Sequence, residues 1–147
     1  MFDAPAPISA LQRSIGAAQV VMGPRGLIDL AQGGSAKAML PRITAGQPQV
    51  VFLNTSGGLA SGDRLSFAVT LRPGTRALAT TQTAERAYRA EDAPARAEVR
   101  LDVGENGWLD WLPQETILFD GARLDRHTQV DLASGAGCLL LEMIVLG

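Results

Sequence analysis

The feature that most constrains this chain is its punctuation. Short β-type runs are broken by turn residues about every ten residues, and no segment sustains a helical period. "VVFLN" (50–54) is a compact apolar run, and "LSFAVTL" (65–71) is β-rich and stops at the turn pair Pro73-Gly74. "AEVRLDV" (97–103) alternates strictly. Ala97, Val99, Leu101 and Val103 share one face, and Glu98, Arg100 and Asp102 share the other, as in a half-buried strand. Asn106-Gly107 then predicts a tight hairpin into "WLDWL" (108–112), and Asp120-Gly121 predicts another between "ILF" (117–119) and "ARL" (122–124). "LDRHTQVDL" (124–132) alternates more loosely, and "CLLLEMIVL" (138–146) reads as the most apolar strand. The expectation is an all-β domain, a sandwich, barrel or set of stacked sheets, with at most one or two short helices. Residues 83–92 allow either a short helix or an irregular link between strands. No internal repeat, linker or low-complexity tract shows in the residues.

Composition narrows the function classes. A chain of 147 residues supports one core, since a domain of that size buries roughly 70% of its unfolded surface. Hydrophobic residues make up 46% and charged residues 19%, the balance of a globular domain. The net charge is −2, and the basic residues are scattered, which disfavours nucleic acid as a partner. The start, "MFDAPAP", has no basic-then-apolar leader pattern, and the longest apolar stretch is interrupted by Glu142, so no membrane span is expected. Cys138 is the single cysteine, so no internal disulfide can form and a cytoplasmic location is expected. His127 is the single histidine, and no G-x-S-x-G elbow accompanies it. It reads as a polar residue on the wet face of a strand, and Cys138 as a small core residue. One His and one Cys cannot close a His/Cys metal cage within one chain.

Two stretches are dense in chemistry. "NTSGGLASGDRL" (54–65) has the glycine spacing of a phosphate loop at Gly57 and Gly62. Asp63 and Arg64 stand where a lysine and a hydroxyl residue belong, and a strand pattern follows instead of a helix, so the nucleotide reading fails. A strand-to-strand turn remains, with glycines supplying positive φ and Asp63 capping it. The second stretch is "DWLPQETILFDGARLDR" (110–126). Pro113 blocks ordinary central strand pairing there. Glu115 reads as a turn carboxylate in water, a partly buried acid facing Arg123 or Arg126, or a metal ligand. Asp120 reads as the first residue of an Asp-Gly turn.

Taken together, "VVFLNTSGGLASGDRL", "TTQTAERAYR" (80–89) and "LDWLPQETILFDGARLDR" (109–126) closely resemble the UreD/UreH family of urease accessory proteins, in residues, order and spacing. The resemblance runs from near Gly26 to the end of the chain, and "WLPQETILFDGAR" is its most specific part. It implies a predominantly β fold with stacked, β-helix-like sheets. It implies a nickel-insertion chaperone and not an enzyme, one that docks on apo-urease with a UreF-type accessory protein and a UreG-type GTPase. Nickel would pass through the protein's interior and not be tightly bound. Members of the family continue well beyond "EMIVLG", so residues 1–147 are expected to be one UreD-type domain truncated at its C-terminus, unable to mature urease alone and leaving an apolar edge exposed.

A conduit needs ligands that hold a cation briefly, and carboxylates suit Ni²⁺ release better than a tight nitrogen–sulfur cage. Asp63, Glu85, Glu115 and Asp120 fall in the matching blocks and are the candidate acids for a transient nickel path. Thr81, Gln82 and Gln114 could add neutral oxygens, while Arg64 and Arg123 could pair with the acids as fixed ion pairs. The glycine loop is expected to set Asp63 and Arg64 beside the segment 113–123. Two other readings stay open: a β-sheet hydrolase using Glu115 and Asp120 as paired carboxylates, and a non-catalytic β module that binds a protein through its exposed edge.

Overall fold

The structure is a computed structural model that describes residues 12–147. The described chain winds as a stack of coils with three faces. The first coil holds β1 (Ile15–Gly23), β4 (Gln49–Asn54) and a bridge at Leu59. The second holds β5 (Arg64–Leu71), β6 (Arg76–Thr81) and β7 (Glu85–Ala87), and the third β8 (Ala95–Val103), β9 (Trp108–Trp111) and β10 (Thr116–Leu118). The fourth holds β11 (Leu124–Leu132), β12 (Gly137–Leu140) and β13 (Ile144–Leu146). Between β1 and β4, the strands β2 (Gly26–Gly34) and β3 (Ala36–Met39) pair antiparallel to β1 and β4, and they edge two of the sheets.

Equivalent strands of successive coils pair in parallel, giving sheets ordered β11-β8-β5-β1-β2, β12-β9-β6-β4-β3 and β13-β10-β7. Arg64 lies beside Arg96, an advance of 32 residues, and Arg96 beside Asp125, an advance of 29. The sequence shows no repeat, yet the structure repeats. Side-chain identity is free so long as inward positions alternate and each corner can turn, so one coil need not resemble the next in letters.

This geometry overturns the hairpin expectations. Asn106-Gly107 separates β8 from β9, and Asp120-Gly121 separates β10 from β11, but these strands belong to different sheets. Asn106 has φ +54° and Gly121 φ +72°. A hairpin and a solenoid corner need the same left-handed residues, and the sequence signal cannot separate them. Residues 83–92 contain no helix; they hold β7, which starts the third sheet. "CLLLEMIVL" is also not one core strand. It bends at residues 141–143 into β12 and β13 on two faces, and Leu139, Leu141, Ile144 and Leu146 are exposed.

The core lies inside the coils. Even positions of β1 and odd positions of β5 and β8 point inward, stacking Val20, Val69 and Leu101 in one column and Met22, Leu71 and Val103 in another, all buried. Phe52 of β4 stacks on Phe67 of β5, with ring centroids 4.7 Å apart, and meets Trp111 of β9 at 6.2 Å. Among the described residues no helix is long and apolar enough to cross a membrane.

The exposed apolar side chains of the fourth coil make self-association the expected behaviour of this chain. Leu141→Glu combined with Leu146→Lys should lower the weight-average mass in sedimentation velocity and leave stability within about 0.5 kcal/mol, as for other surface changes. An unchanged mass would place the sticking surface elsewhere.

Candidate functional site

The inward face is apolar over most of the stack and turns polar in one region. On β6, Thr81 lies beside Phe52 and shares its inward side. On β7, Glu85 lies beside Thr116 of β10, and Thr116 is buried. On β11, Arg126 and Thr128 take the inward positions held one coil earlier by Ala97 and Val99. Glu142, in the corner between β12 and β13, closes the group.

A small cavity of about 20 Å³ sits here, room for about one water molecule. Its walls include Thr81, Glu85, Gln114, Thr116, Trp111 and Arg126. A second small cavity, of about 40 Å³, adjoins it through Thr81, Glu85 and Phe67 and extends to Asn54, Gly57 and Gly58 of the glycine loop. Glu85 therefore stands between the loop and the coil interior. Asn54 Nδ2 donates to Glu85 Oε1 at 3.2 Å and also to the Gly58 carbonyl at 3.3 Å. Gly58 has φ +143°, and a Cβ there would meet the Tyr88 ring and lie 2.8 Å from the Arg86 carbonyl oxygen, so the loop seats against β7 only with glycine at this position.

The two acids of this region titrate in opposite directions. Burial pushes the Glu85 carboxyl above its ordinary value of 4.5, outweighing the Asn54 bond and the attraction of Arg126. Burial also raises Glu142, but there the bonds win and its carboxyl lies below 4.5. Arg126 Nη2 donates to Glu142 Oε1 at 2.7 Å and Arg126 Nε to Oε2 at 3.1 Å, a forked pair. Trp111 Nε1 and Thr128 Oγ1 add donors to Oε1 at 3.0 and 3.1 Å.

The other expected site residues stand apart. Both Asp63 oxygens accept backbone N–H groups, from Ser14 at 2.7 Å and Ala60 at 2.8 Å, so this buried carboxylate caps the turn. The glycine loop packs on Arg86 and Tyr88 and reaches the segment 113–123 through Tyr88, whose ring stacks on Phe119. Arg64 is exposed on β5. Asp120 lies outside, its side chain 92% exposed and paired with Arg89 at 3.0 Å. Arg123 donates to the carbonyls of Glu91 and Asp92. Glu115 is half-buried at a corner, where its carbonyl accepts the Glu85 N–H at 2.9 Å. The Gln82 N–H donates to the Phe52 carbonyl. Glu115 and Asp120 line neither of these two cavities.

Arg126 and Glu142 were legible in part. In "LDRHTQVDL" Arg126 and Thr128 share parity with Val130 and Leu132, which puts a charge on the apolar face of an alternating strand. His127 takes the opposite, outer face and is exposed. Cys138 packs partly against the core, and burial, with Asp110 nearby, pushes its thiol up, so it remains a protonated, weak ligand. Among the described residues, no three His, Cys, Asp or Glu converge to hold a metal ion.

Stacked parallel coils around an apolar interior, with two small cavities partly lined by polar side chains, define a β-solenoid scaffold. The sequence places it further: residues 14–147 match the UreD urease accessory protein family, and the chain belongs to that family. It is 74% identical over 147 residues to a urease accessory protein UreD of Paracoccus denitrificans (strain Pd 1222), covering 100% of this chain and 52% of that protein. It is 62% identical over 146 residues to a UreD of Cereibacter sphaeroides (strain ATCC 17029 / ATH 2.4.9), and 47% identical over 147 residues to one of Jannaschia sp. (strain CCS1). The shares covered are 96% and 53% for the first pair and 100% and 54% for the second. The chain thus spans about half the length of the curated relatives it matches.

The opposed shifts give opposed pH signatures. Glu85, with its raised folded pKa, favours the fold when protonated, and that contribution falls as pH rises from 4.5 through the folded value. Glu142, with its lowered folded pKa, favours the fold when ionised, and that contribution is lost as pH falls from 4.5 through the folded value. Thermal melts from about pH 3 to about pH 7 should show Glu85→Gln more stable than the parent at neutral pH and converging with it in acid. Glu142→Ala should cost about 2 kcal/mol at neutral pH, less than a fully buried pair because the side chains of Arg126 and Glu142 are 21% and 24% exposed, with the deficit shrinking in acid. A Glu85→Gln deficit at neutral pH would contradict the burial account.

Proposed function

We propose that this chain is a non-catalytic scaffold for delivering nickel to apo-urease, acting with a UreF-type accessory protein and a UreG-type GTPase in the cytoplasm. The single observation that carries the reading is the placement of Glu85, a half-buried carboxylate between a surface glycine loop and a small interior cavity whose walls are part apolar and part Thr81, Gln114, Thr116 and Arg126. Membership of a urease accessory family supports urease as the client, and nickel as the cargo is what the resemblance to UreD/UreH proteins implies.

The chemistry suits passage better than storage. Glu85 offers one carboxylate, and Thr81, Gln114 and Thr116 offer neutral oxygens along the same walls. Such an oxygen set holds Ni²⁺ loosely compared with imidazole or thiolate. A cavity sized for about one water cannot admit a fully hydrated ion, so the cation sheds water on entry or the coil end opens around it. Of the four acids expected on the path, Glu85 has the position for it. Asp63, with both oxygens bonded to amides, serves the turn that shapes the entrance.

Nickel titration by calorimetry separates these roles. Glu85→Gln should weaken Ni²⁺ binding by about tenfold, the scale of losing one charged ligand, while Asp120→Asn leaves it unchanged. Equal affinities for the parent and Glu85→Gln would remove the interior from the path. Pull-down with tagged chain tests the assembly: capture of urease or of the UreF-type partner is expected, and failure with both would leave a β module without this client.

A further inference from the structure

Arg126 is an unusual occupant of a solenoid core. Its column begins with Gly16 and continues through Leu65 and Ala97, and the fourth coil then puts a guanidinium on the same inward side. A guanidinium does not shed its proton, so a counter-charge has to stand beside it. Glu142 is that charge, and its oxygens are crowded: Oε1 accepts from Arg126, Trp111 and Thr128, and Oε2 from Arg126. Oε1 is filled and the one lone pair left on Oε2 lies beside the guanidinium, so a cation binds Glu142 against the Arg126 charge while this fork is in place. Arg126 also lines the cavity that holds Glu85, and its charge acts on Glu85 across that space.

We infer that Arg126 is an exchangeable counter-ion: it neutralises Glu142 while the cavity it lines carries no metal, and a divalent cation that enters displaces it from Glu142. This rests on the interior-path reading above and adds its regulation. The fork makes loading competitive, since each cation must expel a guanidinium that remains tethered nearby. The same tether favours unloading, because Arg126 re-forms its two bonds as the cation leaves. The partner of the displaced arginine is solvent, which its partly exposed side chain already reaches.

The exchange has an optical reporter. Trp111 Nε1 bonds the carboxylate that would change partners. The chain has two tryptophans, so Trp108→Phe leaves Trp111 alone. In that background, NiCl₂ titration should change Trp111 emission, and calorimetry should show Arg126→Met binding Ni²⁺ about tenfold more tightly than the parent, the scale of a partly exposed charge pair. Glu142→Gln added to Arg126→Met should abolish the gain. Arg126→Lys should fall between, because an ammonium holds a carboxylate at one point and not through a fork; it also decides the matter if Arg126→Met does not fold. Unchanged affinity in the folded Arg126 variants, with Glu85→Gln still weakening binding, would overturn the exchange and leave the path standing. Unchanged affinity in all of them would remove both.

Discussion

Parallel register is the constraint on which this structure depends. Every inward side chain stands directly above or below the inward side chain of the next coil, so the interior is a set of columns. A slip of one residue in β8 would turn Ala97, Val99, Leu101 and Val103 outward and bring Glu98, Arg100 and Asp102 inside. Exposing those four apolar side chains costs roughly 25 cal/mol per Å² of apolar area returned to water. The outer face reinforces the register weakly, through exposed pairs such as Arg96–Asp125 and Arg100–Asp131, each at 3.9 Å.

Columns also explain why the polar region is confined. A polar residue inside a column has neighbours above and below, so it is tolerated where those neighbours or a corner residue can bond it. Thr128 meets Glu142, Glu85 meets Asn54, and Thr81 Oγ1 accepts the Gln114 N–H at 3.0 Å. The buried Thr75 Oγ1 is the exception among the described residues, a buried hydroxyl with no partner at a corner where its backbone is fully engaged. Its chemistry has no evident use. The cluster around Arg126 is satisfied at every charged atom named above, which is what allows an ion pair to persist at the margin of an apolar interior.

The strands were legible in the sequence because each obeys a local rule. "AEVRLDV" could be nothing but a half-buried strand, and Pro73-Gly74 does turn, with Gly74 at φ +69°. The resemblance to UreD proteins pointed to the stacked, β-helix-like sheets that the fold has. What no local rule contains is the partner of each strand. Asn106-Gly107 looks the same whether the chain doubles back or rounds a corner, and here it rounds a corner, with β5 and β11 taking the two edges of β8. Of the site, Glu85 could be named but its burial could not, since β7 is three residues long and its alternation too brief to read. Glu142 was visible as a break in an apolar run; its partners, 14, 16 and 31 residues away, were not.

Coil stacking gives distance inside this protein an integer character. Neighbouring strands lie about 4.8 Å apart, so Glu85 on the second coil and any group on the fourth are separated by about two such steps along the stack. Residues added at a corner lengthen a coil without moving its rungs, as the advances of 32 and 29 residues illustrate. Spacing between interior ligands is therefore insulated from loop length and altered in whole rungs. A lineage of such proteins can remodel its corners for new partners while the ruler inside keeps its marks.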